Sequence, residues 1–216
     1  MVKKYYRKLK NRIKQSLLKA RLRKRCSIGK NCYVASDVVI GSNCIISNRV
    51  YIGNNVNLSE GVFVGSNAIL RNISIGKNSK IEGGVVCTGN GKGKIIIGGE
   101  SYIGPEVILD WSENITIGSY VHIANRSILS THSSAKKAIS GIPLKDNSDK
   151  FRPTNPIKIE DNVYVAGYCQ INPGITIGHH SIVGNNSVVT KNVPPYTMVG
   201  GVPAKFVKST KGLILT

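Results

Sequence analysis

The chain has 216 residues, 41% of them hydrophobic but only 6% aromatic, with 30 Lys and Arg against 11 Asp and Glu for a formal charge of +19. This length and apolar share allow one large or two small domains around an aliphatic core, and they exclude global disorder. The 23 glycines keep no three-residue period, which excludes collagen, and no apolar run approaches the roughly 20 residues of a membrane-crossing helix.

The first element, residues 1–26, is a basic arm. Residues 1–25 hold 12 of the 30 basic residues, and the first acidic residue is Asp37, so the remaining 191 residues carry only +7. Val2, Tyr6, Leu9, Ile13, Leu17 and Ala20 recur at three- and four-residue spacing, which predicts an amphipathic α-helix with one apolar stripe and Lys or Arg on its other faces. Two readings stay open. The helix lies on an anionic membrane, where each basic residue near the surface adds about 1 kcal/mol, or it caps the fold or contacts another subunit. The charge belongs to the arm, so no nucleic-acid partner is expected despite the +19. The arm lacks a continuous apolar stretch and a small-residue cleavage site, so it does not read as a secretory signal. Cys26, Cys32, Cys44, Cys87 and Cys169 are odd in number and include no CxxC pair, which favours reduced thiols in a cytoplasm.

From Ile28 an aliphatic residue recurs every six positions, at Ile28, Val34, Ile40, Ile46, Ile52, Leu58, Val64 and Leu70. The phase slips by one and resumes at Ile75 and Ile81, then at Ile97 and Ile103, at Ile117, Ile123 and Leu129, and finally from Ile159 to Val189. Gly often follows the aliphatic (Gly29, Gly41, Gly53, Gly65), with Asn or Asp two further on (Asn31, Asp37, Asn43, Asn55) and then a small residue (Cys32, Val38, Cys44, Val56). Six is not a multiple of 3.6, so the pattern gives no helical face. It does fit a short strand and a tight corner, with Gly and Asn tolerating the left-handed conformations of corners. The small residue and the next aliphatic sit two apart and point inward together. One such strand buries little, whereas stacked coils bury a continuous column. The fold class is therefore an all-β solenoid, a parallel β-helix over residues 27–207 with a C-terminal tail at 208–216.

Three breaks interrupt the pattern, and breaks in a solenoid tend to gather as loops on one side. Residues 87–96 are glycine-rich; GNGKGK lacks the Walker spacing, so the segment reads as a turn. Residues 105–115 contain Asp110, Trp111 and Asn114, and residues 132–156 form a long polar excursion with His132 at its mouth.

The repeat pattern resembles the hexapeptide-repeat transferases, which form left-handed parallel β-helices of triangular section. IGSYVHIANRSILSTH (117–132), PIKIEDNVYVAGYCQINPGITIG (156–178) and VVTKNVPPYTMVGGVPAKFV (188–207) resemble, in that order, the C-terminal half of maltose, galactoside and polysaccharide O-acetyltransferases. This chain has Tyr164 where many relatives carry Trp, and Ser134 where some have a second His. The resemblance implies acetyl transfer from acetyl-CoA, as co-substrate and without a metal, to a sugar hydroxyl of a cell-surface polysaccharide or its lipid-linked precursor. It places the general base at His132, a residue type that ordinarily titrates near neutrality. It makes Asp110 its partner or an acceptor ligand, Asn125 an acceptor or oxyanion group, and His122 and Trp111 acceptor contacts. Tyr164, Ala166, Gly167 and Gly184 would line the coenzyme A groove between the subunits of a homotrimer, with Lys191 and Lys205 meeting its phosphates. No Ser or Cys nucleophile pairs with a base, so direct transfer in a ternary complex is expected. The rival readings are an amino-sugar N-acetyltransferase, an acetyltransferase of a small molecule such as an antibiotic, and a β-helical scaffold. A cytoplasmic location, with the arm on the inner face of the cell membrane, completes the expectation.

Overall fold

The structure, a computed structural model, describes residues 25–143, 145–146 and 149–213. Of the expected basic helix at residues 1–26, residues 1–24 lie outside the described residues, and so do the last three residues of the tail.

The hexads form a three-faced parallel β-solenoid of about nine coils. Each coil visits the faces in turn. Tyr102–Ile103 lies on the first, Ile108–Asp110 on the second and Ile115–Ile117 on the third, before the chain returns to the first with His122–Ile123. Strands of two or three residues pair with the coils below and above, giving sheets of ten, eight and seven strands. Register is strict: Ile103 stands over Ile81 and under Ile123, and Val165 follows. Two such residues could not hold a strand in isolation, but each backbone group here has a partner one coil away.

The side chains divide as the spacing requires. Ile46, Ile52, Leu58, Leu70, Ile81 and Ile103 are fully buried, each contributing about 1.5–3 kcal/mol of hydrophobic transfer. Ile45 and Ile69, between inward positions, face out. Where the small inward slot is Ser or Cys, its polar group bonds a carbonyl of the next coil: Ser79 Oγ donates to Gly98 O at 2.8 Å and Cys44 Sγ to Ser59 O at 3.1 Å. All five cysteines are free thiols.

The corners separate the roles of Asn and Gly. Asn31, Asn43, Asn55, Asn67, Asn78, Asn162 and Asn186 take left-handed conformations, φ between 55° and 63°. The glycines after the aliphatics do not. A Cβ on Gly65 would lie 2.4 Å from the Gly83 nitrogen of the next coil, so close approach of backbones, rather than corner torsion, selects glycine there.

The three breaks stack at one corner, between the second and third faces. Two are shorter than expected. Val86–Thr88 and Ile95–Ile97 are strands, leaving residues 89–94 as the first excursion; Ile108–Asp110 is a strand with Leu109 fully buried, leaving residues 111–114 as the second. These strands run to three residues, which blurs the hexad phase without ending the column. The long loop carries a short helix, Ala135–Ile139, and a 3-10 turn, Asp149–Phe151, and closes on the solenoid where Asn155 N donates to Thr131 O at 2.9 Å. At the C-terminal end Lys205–Ser209 pairs antiparallel with Thr197–Gly200, the one antiparallel ladder among the described strands. No helix among the described residues is long and apolar enough to cross a membrane.

Candidate active site at the corner of the second and third faces

Asp110 ends its strand at this corner. The next coil brings Thr131 and His132 to the same corner, because Leu129 registers on Leu109. His132 Nδ1 lies 2.5 Å from Asp110 Oδ2. The carboxylate is otherwise saturated: Oδ2 accepts from Thr131 N at 2.9 Å, and Oδ1 accepts from Ser112 Oγ at 2.7 Å and Ser112 N at 3.1 Å. Asp110 is 3% exposed. Burial pushes its carboxyl up, but the hydrogen bonds from Ser112, His132 and the Thr131 backbone outweigh it and hold the group below its ordinary value. Since a carboxylate only accepts, the Nδ1 proton belongs to this bond, and the neutral ring keeps its lone pair on Nε2.

The dyad borders a cleft of about 370 Å³ lined by Thr88, Gly89, Asn90, Ile108, Ile128, Ser130 and Arg152 together with Asp110 and His132. The glycine-rich excursion is one wall of it, not merely a turn. Gly89 has φ +124°, and a Cβ there would stand 2.8 Å from Asp110 Oδ1; one on Gly91 would overlap Ser112 O at 1.8 Å. Glycine lets this backbone lie directly on the Asp110 corner. From the opposite side the long loop returns Arg152, whose guanidinium donates to Asn90 Oδ1 and, at 3.1 Å, to Ser112 Oγ.

The remaining expected residues lie elsewhere on the chain. Asn125, Ala166, Gly167 and Gly184 follow first-face strands, at the corner of the first and second faces. A whole face separates them from His132. Asn125 packs on Gly167, where a Cβ would come within 2.8 Å of its Oδ1, and it borders a second cleft of about 440 Å³ with Tyr102, Glu106 and Arg126. His122 and Tyr164 are exposed neighbours on the first face, His122 registering directly on Tyr164. Trp111 is placed next to the dyad in sequence but packs against the aliphatic core, its Nε1 buried without a partner, and does not line the cleft. Lys191 is exposed at the second–third corner near the last coils, and Lys205 is exposed on the terminal antiparallel strand. His179 and His180 meet at the third–first corner, where His180 stacks on Tyr196. Thus the structure unites His132 with Asp110 and leaves the other expected residues apart from them within one chain.

Ser112, Thr131 and Asn90 complete the corner without having been singled out by sequence, and Gly89 and Arg152 join them from the glycine-rich break and the basic long loop. For the first three the only signal is position, in or at the edge of a break.

The repeats match the family model of bacterial transferase hexapeptides (six repeats) over residues 19–54 and 156–191, and the hexapeptide repeat of succinyl-transferase over residues 59–88. Over 98 residues the chain is 36% identical to the galactoside O-acetyltransferase of Escherichia coli (strain K12), a stretch covering 44% of this chain and 43% of that enzyme. The chain thus spans less than half the length of this curated relative. Among solved structures, the polySia-specific acetyltransferase NeuO matches with a TM-score of 0.59 and 28% identity, over 88% of both chains. LpxA from Acinetobacter baumannii shares the fold with a TM-score of 0.66 at 17% identity, over 87% of this chain and 69% of that one. In its repeats and its three-faced solenoid the chain is similar to the hexapeptide-repeat transferases.

Proposed function

We propose that the protein is an acetyl-CoA-dependent O-acetyltransferase acting on a sugar hydroxyl of a cell-surface polysaccharide or its lipid-linked precursor. The observation that carries this reading is the His132 Nδ1–Asp110 Oδ2 contact of 2.5 Å at the edge of an open cleft. Acetyl-CoA supplies the acetyl group as a thioester. His132 Nε2 takes the proton of the acceptor hydroxyl as that oxygen is acylated and returns it to the leaving sulfur. Asp110 holds the ring in one tautomer and balances the charge it gains. Cys87, the cysteine in the strand below Asp110, is buried with its thiol pushed up to about 12 by burial, which favours direct transfer over a cysteine-bound acetyl group.

The cleft suits a sugar unit and the acetyl end, and a longer pantetheine chain needs a groove beyond it. We place that groove between copies of the chain in a homotrimer. Outward positions of the first face (Phe63, Tyr102, Tyr164, Ile182) and of the second (Tyr51, Ile69, Ile108, Ile128) are mainly apolar or aromatic, with Lys80 and His122 on the first and Gln170 on the second among them. Those of the third are mainly polar (Asn57, Ser74, Thr116, Lys158, Thr176), with Val39 and Ile96 among them. Packing the first face of one copy on the second face of the next would bring Asn125, His122 and the small residues Ala166, Gly167 and Gly184 of one chain toward His132 of another. The basic arm is assigned to an anionic membrane surface, and co-sedimentation with anionic but not neutral vesicles is the expected behaviour of the full chain.

The test of the reaction is acetyl-CoA turnover with a panel of glycans. His132→Ala is expected to lose about 10²–10⁴-fold in rate; equal rates in the two proteins would remove His132 as the base.

A further inference from the structure

Arg152 stands in the cleft in a role the dyad does not need. It comes from the long loop, yet its guanidinium reaches across to Asn90 on the glycine-rich wall and to Ser112 Oγ at 3.1 Å, the same hydroxyl that donates to Asp110 at 2.7 Å. It therefore lies one side chain away from the dyad. The cleft's two formally charged residues other than His132 are Asp110 and Arg152. They differ in availability. Asp110 is buried and spends its lone pairs on Thr131, Ser112 and His132, so it presents little charge to a ligand. Arg152 is half-buried, makes no ion pair among the described residues and has five N–H donors, of which neutral oxygens engage two. A guanidinium held in place by two neutral acceptors, with donors left over at the cleft, is an anion receptor already organised for a planar oxyanion.

We propose that Arg152 is a specificity residue that selects an acidic acceptor, a sugar bearing a carboxylate or a phosphate close to the hydroxyl that His132 deprotonates. The proposal rests on the acetyl-transfer reading and narrows its substrate class. The bidentate pair would fix the acceptor ring, so that the reacting hydroxyl faces Nε2.

The test uses the full chain as wild type, Arg152→Gln and Arg152→Lys. The ligands are a uronate-bearing disaccharide, a disaccharide phosphate and a neutral disaccharide of the same length. Calorimetric affinity is measured without acetyl-CoA, and kcat and KM with it. Wild type is expected to favour an acidic acceptor. Arg152→Gln should reduce the acidic-to-neutral ratio of kcat/KM about 10- to 100-fold, mainly through KM, with Arg152→Lys recovering part of the loss. Loss confined to the uronate or to the phosphate identifies the anion. A wild type with no preference for either acidic ligand, or variants that weaken acidic and neutral ligands equally, would overturn the proposal and leave Arg152 as a tie between loop and wall. If no ligand is acetylated while Arg152→Gln still loses affinity for the acidic ones alone, the receptor stands and acetyl transfer falls.

Discussion

The coils of residues 27–81 and those of residues 86–132 share one construction and differ at a single corner. In the earlier coils the turn between the second and third faces is tight: Tyr51–Ile52 passes to Val56–Leu58 with only Gly53, Asn54 and Asn55 between. In the later coils the same turn takes residues 89–94, then 111–114, then 130–156, yet Leu109, Ile115 and Leu129 remain fully buried. The column is held by inward side chains and coil-to-coil hydrogen bonds, so a corner can grow without disturbing it. Growth at one corner in three successive coils brings polar groups together over an unbroken core, and that is where the dyad and the cleft lie.

Substitutions on the two sides of this comparison should separate activity from stability. The largest effect is expected from Asp110→Asn, which keeps the shape but replaces an acceptor of the His132 proton with a donor. Turnover should fall about 10²–10⁴-fold, and leaving the buried Thr131 and Ser112 donors poorly matched should cost about 1–3 kcal/mol in chemical denaturation. Ile52→Ala, in the tight-cornered region, should do the reverse. It should cost about 2–5 kcal/mol of stability while the folded protein at low temperature turns over as wild type does. A loss of turnover in folded Ile52→Ala would break the comparison. A smaller effect is expected in acid. Asp110 titrates below its ordinary value when folded, so as pH falls the unfolded chain takes up this proton first. Ionised Asp110 therefore stabilises the native state fully above the ordinary carboxylate value near 4, and that contribution disappears as pH drops through the lower native value. Asp110→Asn should flatten the stability profile in that window; an unchanged slope would show that another carboxylate dominates there. The smallest effect belongs to the first–second corner. Glu106 pairs with Arg126 at 2.7 Å in full solvent, and Glu106→Gln should leave the thermal midpoint unshifted within error.

Much of this molecule could be read in the chain. The six-residue spacing of Ile46, Ile52 and Leu58 places them in the column because the inward direction recurs with each face. The settings of His132 and Asp110, read through the resemblance, led to the two residues that the structure joins. The resemblance groups Asn125 with them, and within one chain the stretch from Asn125 to His132 crosses one entire face of the solenoid. Ser112 and Arg152 lay beyond reach for a different reason. Their positions depend on how three breaks of unequal length fold back on one another, and a repeat says nothing about the segments that depart from it. The glycines gave the right corners for an incomplete reason, since the next coil's backbone excludes a Cβ at Gly65 as firmly as torsion would.

Strict coil-to-coil register makes the solenoid a ruler with one graduation per turn. Side chains at the same corner of adjacent coils are set apart by the inter-strand spacing of about 4.8 Å, within reach of each other through short polar groups. Ile45 pairs with Phe63, so one graduation here is eighteen residues. Excising residues 45–62 removes a whole turn and should return Asp110 and His132 to each other unchanged. Excising residues 45–50 removes a third of a turn and breaks the pairing of every earlier strand with the coils that follow. In this architecture the position of a site along the axis is a free parameter, and only its phase is constrained.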